Sequence, residues 1–355
     1  MARAKICPEC GVPLSVTKHH TWLPNGTILE DGNLDHRMVF IESESLRDTF
    51  SGIEGIMGIS IARIIIESQR RSTYDSIDHA LPAPVKAIFR YVGTGLISRY
   101  IANIGRLTGR GDIEVVSFKR RKGEDDYIKL RIREPFSLSH FSGNFVGAME
   151  AVDGREIEVT YVETAPDEYE LTARISGHPL ELTERLQRKA PRYKEGDFKL
   201  PRCGVCGGPG ILADYVWLLD RGVIENRESK RRMVLVSTAT QEAIIDELQA
   251  ELGDSIIQAA MEAQRSLVAT GFFSSEEIKG VDDFRTQFAY RGLGNLVEVE
   301  LDQDHLHFRL ENACLHPMVA GLVQGLYERA FGTESEMEWE VTADNDLVAE
   351  VSKKS

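Results

Sequence analysis

The sequence is short of positive charge. It sets 42 Lys and Arg against 56 Asp and Glu, a formal net charge of −14 over 355 residues. Such a chain repels phosphate backbones, so nucleic acid is a poor partner for it. Cysteine is scarce, with five in all. That number does not build a disulfide scaffold, and C-x-x-C pairs in a reducing compartment point to metal or redox chemistry. No basic segment followed by an apolar core opens the chain, so no signal peptide is expected. The most apolar stretch, GIEGIMGISIARIII, contains Glu54 and Arg63 and is too short to cross a bilayer. The expectation is a cytoplasmic protein without membrane insertion. Catalytic signatures are missing as well: no P-loop, nucleophile elbow, H-E-x-x-H or dinucleotide fingerprint is found, and GTGLIS (93–98) has the wrong length for the last. The nine histidines are scattered. No catalytic residue is assigned, and the balance leans away from an enzyme.

What is present recurs. CPECG (7–11) returns as CGVCG (203–207), RMVFI (37–41) as RMVLV (232–236), and GISIARIIIESQR (58–70) as GDSIIQAAMEAQR (253–265). Cys203 lies over Cys7, Trp217 over Trp22 and Gly222 over Gly26 at nearly one offset. At a second offset, GNFVGAMEAVDG (143–154) matches GLVQGLYERAFG (321–332). The chain is a tandem duplication whose second copy is shorter in the middle. Such copies usually fold alike, often about a pseudo-twofold axis.

Each copy reads the same way. A C-x-x-C knuckle leads into a short hairpin, turning at PNG (24–26) or DRG (220–222). A strand follows, then two helices of amphipathic spacing. Copy one adds a long helical region, 82–109, of which copy two keeps a reduced counterpart around 275–292. A strand pair, a helix and a second hairpin close each copy. This order predicts an α+β class with two similar domains, each a helical layer on an antiparallel four-stranded sheet, with zinc-ribbon-like N-terminal hairpins. The boundaries expected are 1–37 and 38–177 for copy one, a linker at 178–202, then 203–232 and 233–355 for copy two. The G-x-x-x-G faces at Gly143/Gly147 and Gly321/Gly325 are expected to permit close packing on the sheet.

The stretches RMVFIESESLRDTF, GRGDIEVVSFKRRKGEDDYIKLRI and PFSLSHFSGNFVGAMEAVDGREIEVTYVE, with their partners in copy two, resemble the hydrocarbon-binding or four-vinyl-reductase family. The resemblance covers both copies apart from the knuckles and the linker. It implies a ligand-binding fold shared with haem–nitric-oxide sensors, and the binding of small apolar or aromatic molecules. The cysteines that hold zinc in the last hairpin of many members are missing here, and so is the Tyr-x-Ser-x-Arg haem motif. His316 and His140 remain as the histidines that could reach an iron.

Zinc in a structural site takes four ligands, and neither knuckle has a second pair in its own copy. Across a pseudo-twofold axis, Cys7, Cys10, Cys203 and Cys206 would form one tetrahedral zinc site. The alternatives are unmetallated thiols, two sites completed by acids such as Glu30 and Glu225, or a rubredoxin-like iron centre. For the ligand, helix 82–107 with Phe89, Tyr91 and Tyr100 makes copy one the better pocket candidate, and the shortened copy two reads as a structural partner. His305 and His307, alternating with Leu306 and Phe308, read as a solvated strand face. Glu67, Gln69 and Arg70 recur as Glu262, Gln264 and Arg265, which points to helix caps or bonds between helices rather than catalysis. The function read from all this is non-enzymatic binding or sensing of a small hydrophobic molecule, passed on to a protein partner. An accessory role in tetrapyrrole or aromatic metabolism, or a zinc-ribbon scaffold for protein or nucleic acid, is the alternative.

Overall fold

Alternation of period two becomes sheet. Tyr127–Arg133 buries Ile128, Leu130 and Ile132, and His305–Glu311 buries Leu306, Phe308 and Leu310, while the residues between them face outward. The structure, a computed structural model, describes residues 4–80, 84, 102–119, 123, 125–177, 192–270 and 281–354. In copy one the elements are α1 (Leu14–His19), β1 (His20–Trp22), β2 (Ile28–Glu30), β3 (Arg37–Glu42), α2 (Ser43–Met57), α3 (Ala62–Ala80), β4 (Asp112–Lys119), β5 (Tyr127–Arg133), α4 (Leu138–Asp153), β6 (Ile157–Ala165) and β7 (Glu168–Ile175). Copy two contributes β8 (Tyr215–Leu218), β9 (Val223–Asn226), β10 (Arg232–Ser237), α5 (Thr238–Leu252), α6 (Ser255–Ala269), α7 (Val281–Arg291), β11 (Asn295–Leu301), β12 (His305–Glu311), α8 (His316–Phe331), β13 (Ser335–Val341) and β14 (Leu347–Lys353).

The class is α+β. Both copies carry an antiparallel four-stranded sheet of the same order, β4-β5-β7-β6 and β11-β12-β14-β13, each with a bulge in its first strand, Val115/Ser117 and, two positions earlier in the strand, Leu296/Glu298. The shared strand order is what a duplicated sequence imposes.

The compact units run across the copies. Unit 1 comprises Met1–Ser60, Lys189–Asp214 and Val236–Ser355; unit 2 comprises Ile61–Arg188 and Tyr215–Leu235. Each unit therefore sets the hairpin of one copy against the sheet of the other. In unit 1 the Trp22 indole N–H donates to the Tyr290 carbonyl at 2.8 Å, and Arg37 donates to the carbonyls of Gly292, Asn312 and Ala313. In unit 2 Trp217 donates to Leu107 and Arg232 to Gly109. The tryptophans thus anchor hairpins to the C-terminal ends of helices, buried at 2% and 7% exposure. The second half of the expected linker belongs to unit 1, where the Lys194 amide donates to Asn312 Oδ1 and its ammonium meets Asp346 at 2.7 Å.

The hairpin turn meets its dock backbone to backbone. Gly26 has φ +74°, and a Cβ there would stand 2.1 Å from the Gly294 carbonyl oxygen; Gly222 repeats this against Gly111. Gly26→Ala combines a left-handed backbone penalty with a backbone clash. It is expected to lower the denaturation midpoint of the full chain by several degrees, and a midpoint unchanged in a thermal melt would show that the turn yields freely.

The Gly-x-x-x-Gly faces correct one expectation. They pack on helices, not on the sheets: a Cβ on Gly143 or Gly147 would strike the α3 backbone at Ile66 and Arg70, and one on Gly321 the α6 backbone at Met261. The sheets meet the other side of each helix, where Phe141, Phe145 and Met149 of α4 join Ile128, Leu130 and Ile132.

Recurring charges bolt these same helix pairs. Arg70 binds Glu67 on α3 and Glu150 on α4, and Glu150 also accepts the Ile157 amide at the start of β6. Arg265, Glu262, Glu328 and the Ser335 amide repeat the arrangement on α6 and α8.

Candidate functional site

Each knuckle is a tight loop made by its own backbone. Cys7 N–H donates to Val12 and Gly11 N–H returns to Cys7; Cys203 N–H donates to Gly208 and Gly207 N–H returns to Cys203. Gly11 and Gly207 take φ of +77° and +71°, the conformation that lets the chain reverse behind the second cysteine. Both knuckles lie in unit 1.

All four cysteines come together there. Cys7 Sγ is 3.6 Å from Cys203 Sγ, Cys10 Sγ is 3.5 Å from Cys206 Sγ, and the four sulfurs lie within 4.8 Å of one another. These separations are far beyond a disulfide bond of about 2.05 Å, and the thiols are free. A cation bonded at about 2.3 Å to four thiolates sets them about 3.8 Å apart in a tetrahedron, so the donor set fits such an ion. The backbone is ready for negative sulfur. The Cys10 N–H, helped by that of Glu9, donates to Cys7 Sγ and brings its thiol down to about 7 against the effect of burial. Burial pushes the Cys10 thiol up. The Cys206 N–H donates to Cys203 Sγ, yet burial and the neighbouring thiols hold that thiol above its ordinary value. The raised thiols of Cys10 and Cys203 give up their protons to a cation that replaces them. Among the described residues this is the sole group of at least three potential ligands. Glu30 lies instead near His20 and His36, and Glu225 near Lys230.

A cavity of about 50 Å3 lies within the same unit. Phe284 and Phe288 of α7, Met318, Leu322 and Leu326 of α8, and Leu293 and Leu315 form its apolar wall. Its polar end holds Glu42, Ser45, Gln264, Gln287 and Arg291. Arg291 Nη1 binds the Glu42 carboxylate and Nε donates to Gln287 at 3.3 Å, so the charges cancel in place. Ser45 and Thr49 of α2 donate to Gln264 Oε1 at 3.1 and 2.8 Å. The volume is about a third of an engineered apolar cavity of about 150 Å3 that accepts benzene. A ring enters only as side chains at the mouth give way; Phe284 and Gln287 are half-buried there.

The cavity is built mainly by copy two, the half that reads from sequence as a structural partner. Phe89, Tyr91 and Tyr100, the aromatic candidates of copy one, lie outside the described residues. His140 is buried with Nδ1 on Ser137 Oγ, in unit 2, whereas His316 opens α8 in unit 1. His305 and His307 share Glu350, each at 2.6 Å, on a partly exposed strand face. Glu42 and Arg291 escape sequence reading, because they come from opposite copies and from positions that do not recur. Gln264 does recur, beneath Gln69, and that repetition was the available signal.

No family model matches the chain, and no curated protein matches it. Among solved structures it is similar to the phenol-responsive sensory domain of the transcription activator PoxR with phenol, at 12% identity over 46% of this chain and 88% of that one, TM-score 0.33. It is also similar to an H-NOX family protein from a study of heme distortion, at 14% identity over 34% of this chain and 73% of that one, TM-score 0.26. A T. tengcongensis H-NOX variant gives 13%, 34%, 75% and 0.25. Likeness this slight leaves the functional reading to the chain's own residues. Among the described residues, no helix is long and apolar enough to cross a membrane.

Proposed function

We propose that the chain is a non-catalytic binding protein that receives a small, largely apolar molecule in the cavity of unit 1, with one structural zinc held by Cys7, Cys10, Cys203 and Cys206. The observation that carries the reading is a cavity whose apolar wall ends in a fixed set of polar groups, the usual composition of a small-molecule site. The resemblance of both copies to the hydrocarbon-binding family supports the same class of ligand. Four thiolates fill a tetrahedral ion and leave no position for substrate, so the zinc contributes folding energy and no chemistry. The ion pair of Arg291 and Glu42 is neutral as a whole and sets a polar floor for the ligand. Ser45, the hydroxyl in the cavity wall, donates to Gln264 and serves to hold that side chain.

The test pairs binding with metal content. Isothermal titration of the metal-loaded full chain with acetophenone and ethylbenzene is expected to show saturable binding. Val319→Phe, which fills the cavity from α8, is expected to weaken that binding at least about tenfold while zinc stays at one per chain. No binding of either probe to the unaltered chain sinks the reading, and iron absorption in place of zinc reassigns the metal alone.

A further inference from the structure

The duplication supplies an internal control for the cavity. The paired glycines of α4 and α8 place Leu322 where copy one has Asn144, and both helices touch their partners at matching points, Gly143 at Ile66 and Gly321 at Met261. At the offset of the first helices Gln264 stands for Gln69 and Val268 for Thr73, and GRGD (109–112) over GLGN (292–295) sets Leu293 in the place of Arg110. In unit 2 the Gln69 amide nitrogen finds two acceptors. Nε2 donates to Asn144 Oδ1 at 2.8 Å and to Thr73 Oγ1 at 3.1 Å, and Asn144 Oδ1 also accepts from Thr73 and from Arg110.

Unit 1 keeps the amide and removes its surroundings. Leu322 and Leu293, which replace the acceptor and the arginine, both line the cavity. Gln264 is 2% exposed, and Oε1 is committed to Ser45 and Thr49. Among the described residues no protein atom accepts from its Nε2, and the side chain faces the cavity. The donor therefore opens onto the cavity, where a bound molecule can meet it. Apolar exchange of three neighbours with retention of the fourth leaves one directed donor in an apolar chamber.

We propose that this donor selects the ligand: the cavity takes a small apolar molecule bearing a neutral carbonyl oxygen, which receives Gln264 Nε2–H where Asn144 Oδ1 receives Gln69 in the other copy. This rests on the binding function proposed above. A plain hydrocarbon leaves the amide unmet. A carboxylate sets a second negative charge beside buried Glu42, whose partner Arg291 is already neutralised by it. A hydroxyl brings a further donor, and the Glu42 and Gln287 oxygens at the polar end already accept from Arg291. A carbonyl accepts and brings no donor.

The experiment titrates the metal-loaded full chain with acetophenone, ethylbenzene and benzoate. For the unaltered chain, acetophenone is expected to bind about tenfold more tightly than ethylbenzene, with benzoate weakest. Gln264→Leu is expected to abolish the preference for acetophenone and to leave ethylbenzene affinity within about twofold. Leu322→Asn restores the internal acceptor of copy one and is expected to weaken acetophenone more than ethylbenzene; it decides the matter should Gln264→Leu not fold. Equal binding of acetophenone and ethylbenzene, tightest binding of benzoate, or a preference that survives both substitutions overturns the assignment. Ethylbenzene binding without a preference leaves the broader binding function standing, whereas binding of none of the three removes both.

Discussion

Replacing Cys203 and Cys206 together by serine is expected to take the metal content from one ion per chain to none and to lower the denaturation midpoint by about 10 °C or more. Each knuckle supplies only two of the four sulfurs, so two serines leave a bidentate remnant that holds no structural ion. Structural zinc is worth about 10–16 kcal/mol in isolated zinc-finger peptides, and even a third of that shifts the midpoint of a domain this size by about 10 °C. Chelation of the unaltered chain should reproduce the loss. The pH dependence has a definite sign. Thiolates bind the metal and protons compete, so affinity falls as pH falls, more steeply below about 7 where the Cys7 thiol also takes up a proton. Metal analysis beside a thermal melt checks this. Two ions per chain, or zinc retained by the double serine variant, ends the shared site.

Arg70→Ala is expected to cost about 3–5 kcal/mol, and Arg265→Ala about 1 kcal/mol, although the two arginines hold matching triads. Burial makes the difference. The Arg70 side chain is 8% exposed with Glu67 at 9% and Glu150 at 5%, so its loss leaves two carboxylates facing each other out of water. Arg265 and Glu262 are 28% and 48% exposed, and water screens what the substitution leaves behind. Burial works against the charge on Arg70, but Glu150 and Glu67 overcome it and raise its affinity for the proton. Denaturant titrations of both variants at pH 7 measure this. Equal costs for the two arginines would show that the unit 2 triad is as wet as its twin.

Much of the architecture was legible. Alternation marks β5 and β12, and the repeated glycines mark α4 and α8, because local periodicity encodes which side of an element is buried, whatever buries it. The paired knuckles carry their own incompleteness: two cysteines cannot close a tetrahedron, so each copy pointed to the other. Arg70 and Arg265, recurring with their acids, announced bonds between helices that the structure displays.

The sequence by itself determined the duplication, the α+β class and the four cysteines that must find one another. Tertiary structure alone decided that Trp22 and Arg37 dock on the end of α7 and on the loops of the other copy, that the Gly-x-x-x-Gly faces meet helices, and that the cavity forms around Gln264. A Gly face states that something approaches closely but does not say what. The retained amide looks the same in both copies until its neighbours are in place. Asn144 and Leu322 lie far along the chain from the glutamines they face, and only the folded backbone shows that one amide is satisfied and the other is left with a donor to offer.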